Sequence, residues 1–372
     1  MIRQSDESDG GFRGNSTPGS NLINIDTILS ASPTIKSIFA ISERFTMGRT
    51  KVPYTKQAKS LDEQIAILRS RNIIINDEEK AKEYLADIGY YRLGFYSYPF
   101  ELTYPHLDSR RRHEVRPGTT IEDIVALYYY DFDLRAILNR YLSRIEVSIR
   151  TTLTYKLSLK YSTDPIWFVN PSVMKPAFIA GFYQEVYRHL RNKPTITRHH
   201  NKYFGHYAPA WKTLEFMTMG NLETLYDNLI LDIDKKLISN TYGEPATAAF
   251  KTYLSAIREV RNACAHGNVL YGLRLSFGIG TGAACRSLAP GTNQTLNGAL
   301  RVIDYMIRKI SVNRAGDMWE DLYKATRRLY SKVPSSRALI EANTGIILPP
   351  EPEKKEICLI KKIAKLFVRK KK

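Results

Sequence analysis

From Thr120 onward, apolar residues recur at three- and four-residue intervals for about forty positions. Ile124, Leu127, Phe132, Leu134, Ile137, Leu138, Tyr141 and Leu142 carry the pattern, and Ile145, Ile149 and Leu153 continue it. A stripe of this kind is one face of an amphipathic helix and needs other helices to cover it. Globular helices usually run 8–20 residues, so the stretch is expected to be kinked or broken along its length. Asp164-Pro165 ends it.

The flanking sequence is also helical in pattern. Ser60 and Glu63 form a capping box ahead of Leu61, Ile65 and Leu68. Asn76-Asp77 caps a second helix through Ala81, Tyr84, Leu85 and Ile88, which Gly89 ends. The basic, turn-rich residues 110–118 read as a loop or short hairpin. Further helices are expected over 178–190, from Pro209 through Leu225, over 247–265, over 297–312 and over 317–330. The fold class is therefore all-α, a helical bundle. Residues 1–45 are rich in Ser, Gly, Asn and Thr and read as a mostly disordered lead, with a short helix near 35–44. Residues 46–118 form an N-terminal helical part and 119–345 the helical core. Residues 346–372 are a Pro-rich linker and a basic tail.

Composition narrows the partners. The net charge is +18, from 55 Lys and Arg against 37 Asp and Glu, which favours nucleic acid or an anionic lipid surface. The alternative is a generic basic surface. Three scattered cysteines, Cys264, Cys285 and Cys358, make neither a disulfide framework nor a zinc motif. No apolar run has transmembrane length and the N-terminus has no secretory h-region, so the expectation is a soluble cytoplasmic protein. In the tail, Ile357, Ile360, Ala364 and Phe367 form an apolar stripe between lysines. It suits RNA phosphates first, an anionic membrane surface second, or a plain solvated run.

Chemistry concentrates in Arg261-Asn262-Ala263-Cys264-Ala265-His266. At about 100° per residue, Arg258, Asn262 and His266 share a helical face, while Arg261 lies about 140° from His266. Fraying into the glycines after His266 would let the arginine swing into the same cleft. An imidazole can act as base or acid at neutral pH. A guanidinium can stabilise a phosphorane, and Asn262 can orient His266 or touch the phosphate. One histidine cannot easily be acid and base together, and a two-fold dimer would supply a second. Glu146 and Arg150 stand at ion-pair spacing, either as a structural pair or as a polar shelf facing His266. Tyr90, Tyr91, Arg92 and Tyr96 suit either core packing or base stacking.

These segments, taken in order, resemble the Abi-like (AbiD/AbiF) abortive infection proteins of bacteria, a branch of the HEPN ribonucleases. Arg261-Asn262 with His266 is similar to the R-[polar]-x-x-x-H signature. Gln64-Ile65 with Leu68 resembles the N-terminal helix of that branch, and Tyr84-Leu85 with Ile88-Gly89-Tyr90-Tyr91-Arg92-Leu93 its Y-L-x-x-I-x-Y-Y-R-L stretch. Phe132-Asp133-Leu134-Arg135 resembles F-D-x-x-L-R with shortened spacing, and 145–151 resembles I-E-x-x-[IL]-R-T. Pro209-Ala210-Trp211, Glu215 and Met219-Gly220-Asn221-Leu222 are similar to P-[IV]-W-x-x-x-E-x-x-x-x-G-x-L. The resemblance runs from about residue 50 to 275. After His266 the family commonly has H-x-R-L-W-N, where this chain has Gly267-Asn268-Val269-Leu270-Tyr271. Neither the glycine-rich residues 272–298 nor the tail follows the family.

The resemblance implies a HEPN-type core and a metal-independent endoribonuclease of anti-phage defence, cutting RNA by 2′-OH transesterification without a cofactor. Arg261, His266 and Asn262 would be catalytic, and Arg258, Arg150, Glu146, Tyr91 and Arg92 would contact RNA. The expected partners are RNA substrate, a small RNA antitoxin, a second copy of the chain and, through the tail, an anionic membrane. The alternative is a non-catalytic helical RNA-binding protein.

Overall fold

The computed structural model describes residues 53, 55–107, 110–286 and 288–350. The lead over 1–45 expected to be disordered, the helix expected near 35–44 and the basic tail 354–372 lie outside the described residues. The chain divides into Met1–Ala58 and a compact unit beginning at Lys59. Among the described residues there is no regular strand, only four isolated bridges, and no helix is long and apolar enough to cross a membrane.

The helices, in chain order, are α1 (Leu61–Ser70), α2 (Glu78–Ile88), α3 (Tyr90–Ser97) and α4 (Ile121–Lys160). Then come α5 (Pro176–Phe182), α6 (Pro194–Lys202), α7 (Ala210–Thr213), α8 (Met219–Asp227) and α9 (Asp232–Ser239). A π-turn, Tyr183–Tyr187, and one further turn, Arg188–Leu190, extend α5. Last are α10 (Thr247–Ala265), α11 (Leu296–Ile310), α12 (Val312–Lys332) and α13 (Arg337–Thr344).

The early caps form as the sequence predicts. The Ser60 hydroxyl accepts from the Glu63 N–H at 3.2 Å while Glu63 accepts from the Ser60 N–H at 2.8 Å. Asp77 accepts from Lys80 N–H, and Gly89, at φ +88°, closes α2. The chain between Pro209 and Leu225 differs from expectation. It is not one helix but α7, a 3-10 turn at Leu214–Phe216, and α8, which restarts from a Thr218/Asn221 capping box. Helix α12 starts five residues before the pattern suggests, α11 ends two residues short of it, and the pattern gives no sign of α3, α6, α9 or α13.

The long stripe forms one uninterrupted helix of 40 residues rather than a kinked or broken pair. It contains neither Gly nor Pro, the usual causes of a break. Thr120 and Asp123 make a capping box at its start. Helices α3, α7, α8, α9, α10, α11 and α12 all pack against it, so it is the axis of the bundle. Its buried stripe runs Leu127, Asp131, Leu134, Leu138, Leu142, Ile145, Ile149, Leu153 and Leu157. Phe132, assigned to the stripe from sequence, is instead 52% exposed. The three–four spacing places Asp131 there, and a carboxylate occupies a core position.

The glycine-rich stretch has a packing reason. Its backbone lies against α10 and the loop before it: Gly280 N–H donates to Thr252, Ala283 N–H to buried Glu244, and Ala284 N–H to the Tyr253 hydroxyl. A β-carbon at Gly282 would sit 2.4 Å from the Glu244 carboxylate, so only glycine fits.

Leu142→Ala, which removes a fully buried side chain from α4, should cost about 2–5 kcal/mol. Phe132→Ala should cost below about 1 kcal/mol. Urea unfolding of both variants, followed by circular dichroism, separates the two faces.

Candidate functional site

The helix α10 is the element that carries the motif, and its end is ordered. The His266 N–H donates to Asn262 C=O at 2.9 Å, and Asn268 N–H reaches back to Ala263 C=O at 2.9 Å. Gly267 sits between them at φ +68°, a left-handed position suited to glycine. This is the six-to-one bond of a Schellman closure. The helix therefore does not fray after Ala265, and Arg261 cannot reach the face of His266 by unwinding. His266 is exposed on this cap, and among the described residues its ring makes no hydrogen bond. Asn262 is half-buried one turn earlier.

The turn is clamped from two other helices. Arg92 on α3 donates to the Gly267 carbonyl at 2.7 Å, and Arg135 on α4 donates to the Asn268 carbonyl at 3.1 Å. Beneath them lies the Asp131 carboxylate, fully buried. It accepts the Leu270 N–H at 3.0 Å, the Tyr271 N–H at 2.6 Å and the Tyr96 hydroxyl at 2.8 Å, and it pairs with Arg135. Burial pushes the Asp131 carboxyl above the usual carboxylate range, while Arg135 and the two N–H groups pull it down. Burial and the adjacent Asp131 push the Tyr96 hydroxyl up, which keeps it a donor.

A second polar cluster holds the arginine. Arg261 Nε lies 3.6 Å from Glu146 Oε2, and Arg150 donates to Glu146 Oε1 at 2.9 Å. Arg150 also donates to the Met217 carbonyl at 2.9 Å, at the entry to α8. Glu146 thus bridges two guanidiniums, and 36% of the Arg261 side chain stays exposed. On the neighbouring turn, Arg258 pairs with Glu223, which also accepts from Ser255.

The structure brings together Arg261, Glu146 and Arg150, and it ties Arg258 to a carboxylate. It turns Arg92 inward, onto a backbone carbonyl. Tyr91 is exposed and meets Phe95 edge-to-face at 5.2 Å. Tyr96 is buried, and Tyr90 packs against the core with the Arg71 guanidinium over its ring at 5.7 Å. Cys264, inside the motif, is no nucleophile: burial pushes its thiol up to about 12, so it stays protonated at neutral pH. Among the described residues, no group of three or more His, Cys, Asp or Glu stands together as metal ligands.

Asp131 is the residue that sequence reading missed. On Phe132-Asp133 the pattern F-D-x-x-L-R falls two positions short. Tyr130-Asp131-Phe132-Asp133-Leu134-Arg135 meets it at full spacing with Tyr for Phe, and the buried pair is Asp131–Arg135. Asp133 lies on the surface beside Arg328. The segment after His266 also gains a role, since Leu270 and Tyr271 are buried and donate both N–H groups to Asp131.

Fold and site together define an all-α protein in which one long helix positions the arginine and the histidine-bearing end of another. The chain belongs to the Abi-like protein family, whose pattern matches residues 83–272. That span begins on α2 and ends one residue beyond Tyr271, so it contains both polar clusters. Neither a curated protein nor a solved structure matches the chain.

Asp131→Ala should destabilise the protein by about 3–5 kcal/mol, because it leaves the Arg135 charge buried without a counter-ion and two N–H groups without an acceptor. Asp133→Ala, which removes only a surface ion pair, should cost at most about 1 kcal/mol. Thermal melts of the two variants decide whether Asp131 or Asp133 is the structural acid.

Proposed function

We propose that this chain is a toxin-like endoribonuclease of bacterial abortive infection, a cytoplasmic enzyme of the HEPN type. The observation that carries the reading is His266, exposed and free on a cap clamped by Arg92 and Arg135, at the same helix end as the part-exposed Arg261. Membership of the Abi-like family supports the defence role.

In the proposed reaction a base takes the ribose 2′ proton and O2′ bonds to the adjacent phosphorus. The P–O5′ bond breaks, and an acid returns a proton to O5′. The products are a 2′,3′-cyclic phosphate and a 5′-hydroxyl. His266 supplies the acid or base and Arg261 stabilises the phosphorane charge. Asn262 orients the imidazole. Metal-free chemistry is part of the proposal, since these residue types suffice for it. The Schellman closure keeps Arg261 and His266 of one copy on different faces, which favours a site assembled across a homodimer. RNA is the substrate, and a structured small RNA is the antitoxin we envisage.

One observation favours the second reading, a non-catalytic RNA binder. Arg261 lies beside Glu146 rather than beside His266. The two readings separate in a cleavage assay with end-labelled RNA. His266→Ala should lower the cleavage rate at least about 100-fold, with stability within about 0.5 kcal/mol of wild type because the residue is exposed. Cleavage by His266→Ala at the wild-type rate would remove the catalytic assignment. Absence of cyclic-phosphate ends with any RNA, while RNA is still bound, would leave the binding reading.

In a composite site, mixing inactive Arg261→Ala with inactive His266→Ala should restore part of the activity through mixed dimers. No recovery on mixing would mean that each site draws both groups from one copy or needs the histidines of both.

A further inference from the structure

Residues 186–214 contain no Asp or Glu, yet they hold six Lys and Arg. Arg188, Arg191, Lys193, Arg198 and Lys202 are exposed, and among the described residues none of the six makes an ion pair. Elsewhere on the bundle many cations lie against carboxylates, as Lys82, Arg140, Lys160 and Arg258 do. The end of α5, α6, a loop and α7 therefore form a lobe whose cations meet no carboxylate from their own stretch of chain.

The same lobe sorts its aromatic rings into two sets. Tyr187 and Tyr207 pack inward with Phe168 and Phe182, and the Tyr187 hydroxyl accepts the Ala208 N–H at 2.6 Å and meets His200 Nε2 at 2.7 Å. That inner set holds the lobe's shape. Tyr203, Phe204 and Trp211 stay outside it: Phe204 is fully exposed and the other two are half-exposed or more. The Lys202 and Lys212 ammoniums lie 5.3 and 6.0 Å from the Tyr203 ring centre. Exposed rings set among unpaired cations match the needs of a single-stranded nucleic acid, whose phosphates seek cations and whose unpaired bases seek flat apolar surfaces. A folded protein partner would ordinarily meet a surface of mixed sign.

We propose that this lobe is a single-stranded RNA-binding surface, with phosphates on its cations and bases stacked on Phe204, Trp211 and Tyr203. The proposal deepens the endoribonuclease reading and rests on it for the identity of the strand. The chain supplies the connection. Trp211 is six residues before Met217, whose carbonyl holds Arg150 beside Glu146 and Arg261. Six residues of helical chain span roughly 10 Å, so one strand can rest on the lobe and reach the arginine cluster.

The test uses the full-length chain and a fluorescent 2′-O-methyl oligoribonucleotide of about 12 nucleotides. Its blocked 2′ oxygens cannot attack phosphorus, so binding is read apart from cleavage. The Phe204→Ala/Trp211→Ala variant should bind this probe about tenfold or more weakly than wild type. Its affinity for a blunt duplex of the same sequence should not change, because paired bases offer no free face. Arg191→Gln/Lys193→Gln/Arg198→Gln should flatten the salt dependence of log K for the single strand by about two units of slope. All these positions are exposed, and thermal melts check that the variants fold; the tail is common to every protein compared. Unchanged single-strand affinity in the aromatic variant overturns the proposal, as does an equal loss on the duplex. Sedimentation with anionic phosphatidylserine vesicles that depends on these residues, without an effect on the oligonucleotide, assigns the lobe to a membrane and overturns it too. If the lobe variants behave as expected while wild type cuts no RNA, the lobe stands and the nuclease reading falls.

Discussion

The buried carboxylate of Asp131 is the constraint around which the candidate site is built. It stands where the stripe of α4 calls for leucine, and a charge there is tolerable only when its lone pairs are filled. Arg135, the Tyr96 hydroxyl and the N–H groups of Leu270 and Tyr271 fill them. Those donors come from α4, from α3 and from the segment just after His266. Satisfying one acid therefore docks three parts of the chain, and the turn that presents the histidine is fixed as a result. Arg92 and Arg135 complete the docking through the carbonyls of Gly267 and Asn268.

Charge does two jobs in this molecule. Arg92, Arg150 and Arg258 all look like nucleic-acid ligands in the sequence, yet each is committed to a carbonyl or a carboxylate inside the bundle. The net charge of +18 thus overstates what the α10 end can offer a phosphate. The part-exposed Arg261, shared with Glu146, and the unpaired cations of α6 and its flanks are among the charges still open to a polyanion on the described surface.

Local signals in the sequence translated well into structure. The Ser60/Glu63 box, the Asp77 cap, Gly89 as a stop and the 247–265 helix all depend on residues a few positions apart, and all form. So does the Glu146–Arg150 pair, one turn apart. What escaped depends on distant partners. Arg92 meets Gly267 across 175 residues and Asp131 meets Leu270 across 139, and neither pairing has any local sign. The acid itself has an apolar neighbour, Phe132, which fits the hydrophobic stripe better than a carboxylate does. The Thr218 cap was similarly masked, because apolar residues continue through Met217 and Met219 while the helix stops and restarts.

Because α4 holds no glycine or proline, its rotation is transmitted without loss along its length. Asp131, which sets the histidine turn, and Glu146, which sets the arginine, are fifteen residues apart on one rigid rod, about 22 Å along the axis. A single residue inserted or lost between them would turn one anchor by about 100° relative to the other. The interval from Asp131 to Glu146 therefore acts as a gauge. In lineages that keep the site, this interval is one that insertions and deletions should leave alone.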